Sequence, residues 1–294
     1  MEKTSINNFN LNTAKLLSEN SISKVYRLCN GEILKMFNPN ILNIYNNVGG
    51  NVEKKILEAE ALPNIPEIII PNKAVYDEKG RFIAYTSSYI EGLNLGQYYD
   101  SLTKNDRNSL YFFATLFEKL ESVVSRANEE GFVFPDLVNP GNFIFDKNGN
   151  FKLIDYDGMQ IRDNKSMVIS RVLSVDEKYN RVSKYGNGYF LYTPELDKKS
   201  IILLYIILVF HVRFAAIGQK SYHTGEVITL DYIFDYIGLD DEKFKNKIYK
   251  IYNDNEKNEF ISEDINRLAD MYELRSKVAL TKDSGVCKYL IKKR

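Results

Sequence analysis

Residues 132–158 read FVFPDLVNPGNFIFDKNGNFKLIDYDG, a stretch in which short apolar runs alternate with polar turns. Two of the apolar runs flank Asn148-Gly149, and Asn-Gly between apolar segments is the strongest short-range signal for a β-hairpin. The pattern therefore predicts two antiparallel strands joined by a tight turn. Because that turn lies at one end of the hairpin, Asn142 and Asp155 are expected together at the opposite end.

Four polar residues surround the predicted hairpin. Asp136 and Asn142 lie in the loop before it, and Asp155 and Asp157 follow it. Carboxylate and carboxamide oxygens are the hard ligands that Mg²⁺ prefers, so these residues form a candidate magnesium site. The alternative is that Asp, Asn, Pro and Gly simply form solvated turns. The residues alone leave both interpretations open.

A lysine stands in a similarly apolar context nearer the start of the chain. Lys35 lies within the apolar run 33–37, and an Asn-Gly pair at 30–31 predicts a hairpin between this run and residues 25–28. A lysine in so apolar a strand either lies on a sheet edge and extends to water or contacts a carboxylate or a phosphate.

Hydrophobic periodicity divides the chain into two parts. Residues 11–90 are rich in predicted strands, with one helix at 52–62 that is stopped by proline. Residues 95–294 are predicted to be mostly helical, with an amphipathic helix at 110–127 and a buried apolar helix at 198–212. These patterns predict an α+β fold.

Composition excludes several classes of protein. The 294 residues include 39 basic and 39 acidic side chains, so net charge gives no general attraction for nucleic acid. The two cysteines lie at opposite ends of the chain and two histidines are present, so neither a disulfide framework nor a structural metal site is expected. The apolar run 201–210 is shorter than the about 20 residues that span a bilayer. With no apolar run near residue 1, we expect a cytoplasmic protein without a membrane or nucleic-acid partner.

Together these features resemble the protein kinase family. Lys35 stands where the family has its strand lysine, and residues 131–137 are similar to the segment that leads into its catalytic loop. Asn142 and Asp155 are thirteen positions apart, which is the family's spacing between two metal ligands. The resemblance covers about residues 12–215.

The resemblance implies a bilobal architecture with ATP and Mg²⁺ as cofactors. A small antiparallel-sheet N-lobe with one helix would span residues 1–91, and a larger, mostly helical C-lobe would span 92–294. Within the C-lobe, residues 216–294 have no assignment beyond helix. The residues expected to contact ATP are Ser18, Asn20, Ser23 and Val25 over the phosphates, and Ser88, Tyr89 and Ile90 at the adenine edge.

The resemblance also implies which residue fixes the lysine. Lys35 would hold the α- and β-phosphates while paired with Glu53 from the predicted helix. Glu58 or Glu60 would take that place if the helix proved shifted by a turn or two.

The remaining implied roles belong to the loop and hairpin. Asp136 would orient the acceptor hydroxyl and accept its proton, as the catalytic-loop aspartate of the family does. Asn142 and Asp155 would hold magnesium, with Asp157 assisting.

The implied function is ATP- and magnesium-dependent phosphoryl transfer, with a Ser/Thr protein kinase as the leading interpretation and a protein or small molecule as the acceptor. Glycine is absent from positions 18, 20 and 23, and Phe134-Pro135 replaces the usual His-Arg. These departures favour one alternative, a pseudokinase that regulates a partner as a nucleotide-binding or structural module. A second alternative is a kinase-fold enzyme that phosphorylates a small molecule or transfers a nucleotide.

Overall fold

The fold is built on a six-stranded sheet, seen in a computed structural model that describes residues 1–47, 50–101, 110–167, 192–209, 231, 234–235 and 240–253. The strands lie in the order β1-β5-β6-β4-β3-β2. Mixed helix and strand content confirms the predicted α+β class. The six strands are β1 (Glu2–Ser5), β2 (Lys15–Glu19), β3 (Ser23–Arg27), β4 (Glu32–Phe37), β5 (Pro71–Tyr76) and β6 (Phe82–Ser88).

The β3–β4 hairpin confirms the turn predicted at Asn30-Gly31. Gly31 has a φ of 80°, which a residue without Cβ adopts at little cost. Strand β4 then lies between β3 and β6, and Lys35 is paired with Val25 on one side and Tyr85 on the other. The edge-strand interpretation of Lys35 is therefore wrong.

Two elements of this region were not predicted. Strand β1 runs parallel to β5, although a wholly antiparallel sheet was expected. Two helices, α1 (Pro39–Asn47) and α2 (Val52–Glu58, followed by a 3-10 turn at Ala59–Ala61), occur where one was expected. Strand β1 is short and polar, whereas α1 is a nine-residue helix that buries Leu42 and Tyr45. A polar four-residue strand carries little periodic signal, whereas Leu42 and Tyr45 do stand at helical spacing and α1 was overlooked.

The second half of the chain supplies short strands and longer helices. The hairpin of β9 and β10 confirms the prediction from Asn148-Gly149, with Phe145 opposite Phe151 and Phe143 opposite Leu153. Strand β7 extends this hairpin, and β8 pairs with β11. The elements are β7 (Leu93–Asn94), α3 (Leu95–Ser101), α4 (Leu110–Glu129), β8 (Phe132–Val133), β9 (Phe143–Phe145), β10 (Phe151–Leu153), β11 (Gln160–Ile161), α5 (Glu195–Val209) and α6 (Glu242–Asn253).

A continuous apolar core joins these elements. The predicted inward face of α4 is buried at Phe117, Leu120, Val124 and Ala127, the spacing of three and four that places side chains on one helix face. Helix α5 confirms the predicted apolar helix as far as Val209. The predicted end of that helix, and most of residues 216–294, lie outside the described residues.

None of the helices in the described ranges has both the length and the apolar character needed to cross a bilayer.

Candidate active site

A cavity of about 730 Å³ lies between the six-stranded sheet and the β9–β10 hairpin, a volume within the usual range for small-molecule sites. Within the described part of the chain, the candidate residues that do not line this cavity are Asp157 and the three glutamates considered for Lys35, Glu53, Glu58 and Glu60. The candidates that do line it are Ser18, Asn20, Ser23, Val25, Lys35, Ser88, Tyr89, Ile90, Asp136, Asn142 and Asp155.

Lys35 bridges two carboxylates at the inner end of the cavity. Its Nζ donates to Asp155 Oδ1, and to Asp157 Oδ1 at 2.7 Å. Tyr85 Oη donates to the same Asp157 oxygen at 2.7 Å. Residues about 120 positions apart thus meet in one cluster, and the structure brings together the lysine and the carboxylates that the sequence singled out.

Charges within the cluster shift one another's pKa values. Burial alone would lower the pKa of Lys35, but Asp155 and Asp157 outweigh that effect and raise it. Burial raises the pKa of Asp155, and the negative charge of Asp157 adds to the rise. For Asp157, burial is outweighed by the charge and hydrogen bonds of Lys35 and Tyr85, so its pKa is lowered. Asp157 is therefore the more firmly ionised partner of Lys35.

The backbone of Asp155 is in a rarely occupied conformation. Its φ and ψ are 71° and 49°, in the left-handed region, which is uncommon for a residue with a side chain. A 3-10 turn, Tyr156–Gly158, follows immediately and carries Asp157. Strain of this kind costs about 1–3 kcal/mol and clusters at functional sites. The sharp turn lets Asp155 and Asp157 both reach Lys35.

The loop before the hairpin places Asp136 and Asn142 against each other. Asn142 Nδ2 donates to the main-chain oxygen and to Oδ2 of Asp136, each at 3.1 Å, and Asn139 Nδ2 donates to the same Oδ2 at 2.9 Å. The Asn142 carbonyl accepts from the Ile154 amide at 2.9 Å. That bond ties the loop to the residue before Asp155. The side-chain oxygen of Asn142 takes no part in these bonds and has the chemistry of a metal ligand.

The oxygen ligands at this site suit a magnesium ion whose remaining ligands come from water and from the phosphates of a bound nucleotide. In the residues that the structure describes, no group of three or more His, Cys, Asp or Glu side chains could hold a metal ion. Mg²⁺ commonly uses one or two protein oxygens, with water and substrate phosphates completing its shell. Asn142 and Asp155 together could supply such a pair, and Asp157 is already bound to Lys35 and Tyr85.

The turn predicted to cover phosphates is closed on itself. Asn20 Oδ1 accepts the amides of Ile22 and Ser23, both at 2.8 Å, and the Asn20 amide donates to the Ser23 carbonyl at 3.0 Å. This Asx turn occupies amides that a glycine-rich loop would direct toward phosphate. The Ile22 and Ser23 amides are therefore already bonded within the turn, although Ser23 still lines the cavity.

One of the amides in the predicted adenine-binding segment, residues 88–90, is also bonded within the protein. The Tyr89 amide donates to the Gly31 carbonyl at 3.1 Å, so it faces the β3–β4 turn. The Arg27 guanidinium lies 4.0 Å from the centre of the Tyr89 ring. Ser88, Tyr89 and Ile90 all line the cavity, and of the main-chain groups of Tyr89 the amide is already bonded to Gly31.

The predicted Lys35–Glu53 ion pair is wrong. Glu53 Oε1 instead accepts from Tyr76 Oη at 2.8 Å. Glu58 accepts from Asn164 at 2.7 Å, and Glu60 contacts the amino group of Met1. Among the ion pairs of the described residues, none joins Lys35 to these three glutamates. The reason is the rotation of α2, whose buried residues are Val52, Lys55 and Ile56.

A buried lysine on that helix was missed. Lys55 is 1% exposed, and its Nζ donates to the carbonyls of Asp157, Met159 and Lys165 at 2.6, 2.8 and 3.1 Å. Burial lowers the pKa of Lys55 to about 7, against the opposing charges of Asp157 and Asp155. The sequence did contain a sign of this burial. Lys55 follows Val52 by three positions, so the two side chains lie on the same face of a helix.

A second missed residue, Asp197, lies at the start of α5 and braces the segment before Asp136. Its Oδ1 accepts the Phe134 amide and its Oδ2 accepts from Asn128 Nδ2, both at 2.8 Å. Asp197 is fully buried, and burial raises its pKa to about 7. This contact links α4, α5 and the candidate catalytic loop.

Comparisons with known proteins add no assignment to this geometry. No protein-family model matches the chain, and no curated protein matches it. The function is therefore inferred from the residues and their contacts.

The Asp197→Asn variant is expected to change how stability depends on pH. The folded-state pKa of Asp197 is about 7 and an unfolded aspartate titrates near about 4, so the folded state binds the extra proton between these values. Wild-type stability therefore falls as pH rises through this window, by roughly 4 kcal/mol at most, and then levels off. Asparagine removes this contribution.

Urea unfolding of both proteins at about pH 5 and about pH 8 measures the effect. The substitution can also change stability by the same amount at both pH values, because it places an amide against Asn128. The readout is therefore the difference between the two proteins in how the free energy of unfolding changes with pH. Identical slopes in the two proteins would show that Asp197 stays ionised throughout and would contradict the prediction.

Proposed function

We propose that this chain is an ATP- and magnesium-dependent phosphotransferase with a bilobal, protein kinase-like fold divided near residues 91 and 92. The observation that supports this most is the meeting of Lys35, Asp136, Asn142 and Asp155 on one cavity of about 730 Å³. A cation, a carboxamide and carboxylates around a space of this size match the needs of a metal-bound nucleotide. Catalysis of phosphoryl transfer consists mainly of positioning and charge neutralisation.

Each residue has a distinct task in this proposal. Lys35 holds the α- and β-phosphates, and Asn142 and Asp155 hold magnesium, which neutralises charge on the transferred phosphoryl group when bound. Asp136 orients the acceptor hydroxyl and takes its proton, while the amides of Asn139 and Asn142 fix the Asp136 carboxylate. A carboxylate that is already held in position needs little reorganisation energy during the reaction.

A serine or threonine hydroxyl of a protein is the acceptor we propose first. The proposal is tested by incubating the protein with Mg·ATP and an arrayed library of Ser- and Thr-containing peptides, with ADP release and product mass as readouts. We expect ADP release that requires magnesium, and peptides that gain a phosphate. A product that gains a nucleotide, or phosphate on a small molecule, would identify the other acceptor chemistries.

The Lys35→Met variant is expected to release ADP about 10²–10³-fold more slowly, because it loses a preorganised charge beside the phosphates. Lys24→Met is the matched control. Lys24 lies on the neighbouring strand, is 51% exposed and pairs with Glu19, so its loss should leave the rate within about twofold. Equal rates in both variants would overturn the proposed role of Lys35.

The observation that favours the pseudokinase alternative is the closed turn at Asn20, which uses amides that a glycine-rich loop would direct toward phosphate. A protein that binds Mg·ATP and never releases ADP would support a nucleotide-binding regulatory module. A protein that binds no Mg·ATP would contradict the phosphotransferase and the nucleotide-binding module, and would support the structural module.

A further inference from the structure

We propose that Asp157, held by Tyr85, is the positioning residue of Lys35 in place of a glutamate from α2. This inference rests on the proposed function, since it concerns how the same site keeps its phosphate-binding lysine in place. It assigns Asp157 a role different from the metal assistance that the sequence resemblance implied.

The contact geometry comes from the sheet itself. Lys35 and Tyr85 are directly paired across β4 and β6, so their side chains lie on the same face of the sheet. The Asp157 carboxylate meets both of their ends, with one oxygen accepting from Lys35 Nζ and Tyr85 Oη at 2.7 Å each. Two neighbouring donors on a rigid sheet thus converge on a single acceptor.

Exposure separates the two carboxylates that contact Lys35. The Asp155 side chain is 28% exposed and lines the cavity, whereas the Asp157 side chain is 3% exposed and does not. Asp155 can therefore turn to a ligand in the cavity, while Asp157 keeps its contact with Lys35. A lysine that lost its Asp155 contact would still be held in place by Asp157.

The main chain of Asp157 is also fixed. Its carbonyl accepts from Lys55 Nζ at 2.6 Å, and that lysine comes from the inward face of α2. Helix α2 thus contributes a cation bound to the backbone, whereas Glu53 contacts Tyr76 on β5. The helix supports Lys35 indirectly, through the segment that carries Asp157.

Binding measurements on three variants test this inference. Isothermal titration with Mg·ATP and with adenosine separates phosphate contacts from binding of the base and ribose. We expect Asp157→Asn to weaken Mg·ATP binding about 10–100-fold and Tyr85→Phe about 3–10-fold, with adenosine affinity unchanged in both. The Glu53→Gln control should bind both ligands within about twofold of wild type.

The outcomes are distinguishable. Wild-type protein that fails to bind Mg·ATP would overturn the proposed function itself. If the wild type binds Mg·ATP, then a Glu53→Gln protein that loses affinity while Tyr85→Phe retains it would overturn the role of Asp157 alone. Equal losses for Mg·ATP and adenosine in Asp157→Asn would indicate general damage and would also count against it. If Asp157→Asn does not fold, the comparison of Tyr85→Phe with Glu53→Gln decides.

Discussion

Phosphoryl transfer by the Asp155→Asn variant is expected to be at least about 10³-fold slower than by the wild-type protein. Asp155 is the cavity-facing carboxylate next to Lys35. In the proposed function it is a ligand of the magnesium ion that neutralises charge on the transferred phosphoryl group. Asparagine keeps the shape of the side chain and is among the residues that best tolerate the left-handed backbone found here. The variant therefore removes charge with little change in geometry. Initial rates of ADP release at saturating Mg·ATP measure the effect.

Loss of activity in this variant should not come from unfolding. Asparagine keeps a side-chain oxygen that can accept from Lys35 Nζ, and Asp157 still contacts Lys35. The control is Asp163→Asn, which changes an exposed residue in the turn after β11. We expect both variants to unfold within a few degrees of wild type, with activity lost in Asp155→Asn. Full activity in Asp155→Asn would remove Asp155 from the catalytic machinery.

The parts of the fold that sequence predicted are those with local signals. The β3–β4 and β9–β10 hairpins each carry Asn-Gly, and that dipeptide determines the turn with little help from the rest of the chain. Strand β1 has no such signal. It is a short polar segment whose position depends on pairing with β5, about 70 residues later in the sequence, and single-sequence patterns do not contain that information.

The candidate site shows the same division between local and distant information. Lys35 and Asp155 could be identified because each is a charged residue next to an apolar strand, and such a residue requires a partner. To decide which of Glu53, Glu58 and Glu60 could reach Lys35, one has to know how α2 is rotated about its own axis, that is, which residues it buries. That rotation is fixed by Lys55, whose carbonyl partners lie more than 100 positions away.

The contacts of Asp157 also depart from what its position in the sequence suggested, for a physical reason. Its position in the sequence, two residues after Asp155, suggested a shared metal. In the structure, the 3-10 turn directs Asp157 toward Tyr85 and Lys35 in the protein interior. The direction of a side chain within a tight turn depends on backbone angles, and the residue at the start of this turn has a rare positive φ.

The largest effect on stability is expected for Lys55→Met. Methionine is similar in length and apolar, so it fills the space, but it leaves the carbonyls of Asp157, Met159 and Lys165 without their donor. A buried acceptor left without its donor costs about 1–3 kcal/mol, so three such carbonyls together cost at least about 3 kcal/mol. We expect a loss of that size in the free energy of unfolding, measured with urea at about pH 9.

The control and the pH dependence separate this prediction from a general effect of losing a lysine. Lys54 is the adjacent residue; its side chain is 57% exposed and its Nζ lies 3.8 Å from Glu58 Oε1. Because exposed ion pairs contribute little, Lys54→Met should lower the free energy of unfolding by no more than about 1 kcal/mol. The pKa of Lys55 is lowered to about 7, so between that pH and the unfolded lysine pKa of about 10.4 the unfolded state binds more protons, and wild-type stability rises with pH. The destabilisation by Lys55→Met should therefore be smaller at about pH 6 than at about pH 9. If Lys55→Met and Lys54→Met were equally stable at both pH values, the three carbonyls would not depend on Lys55, and α2 would have no hold on the segment that positions Asp157.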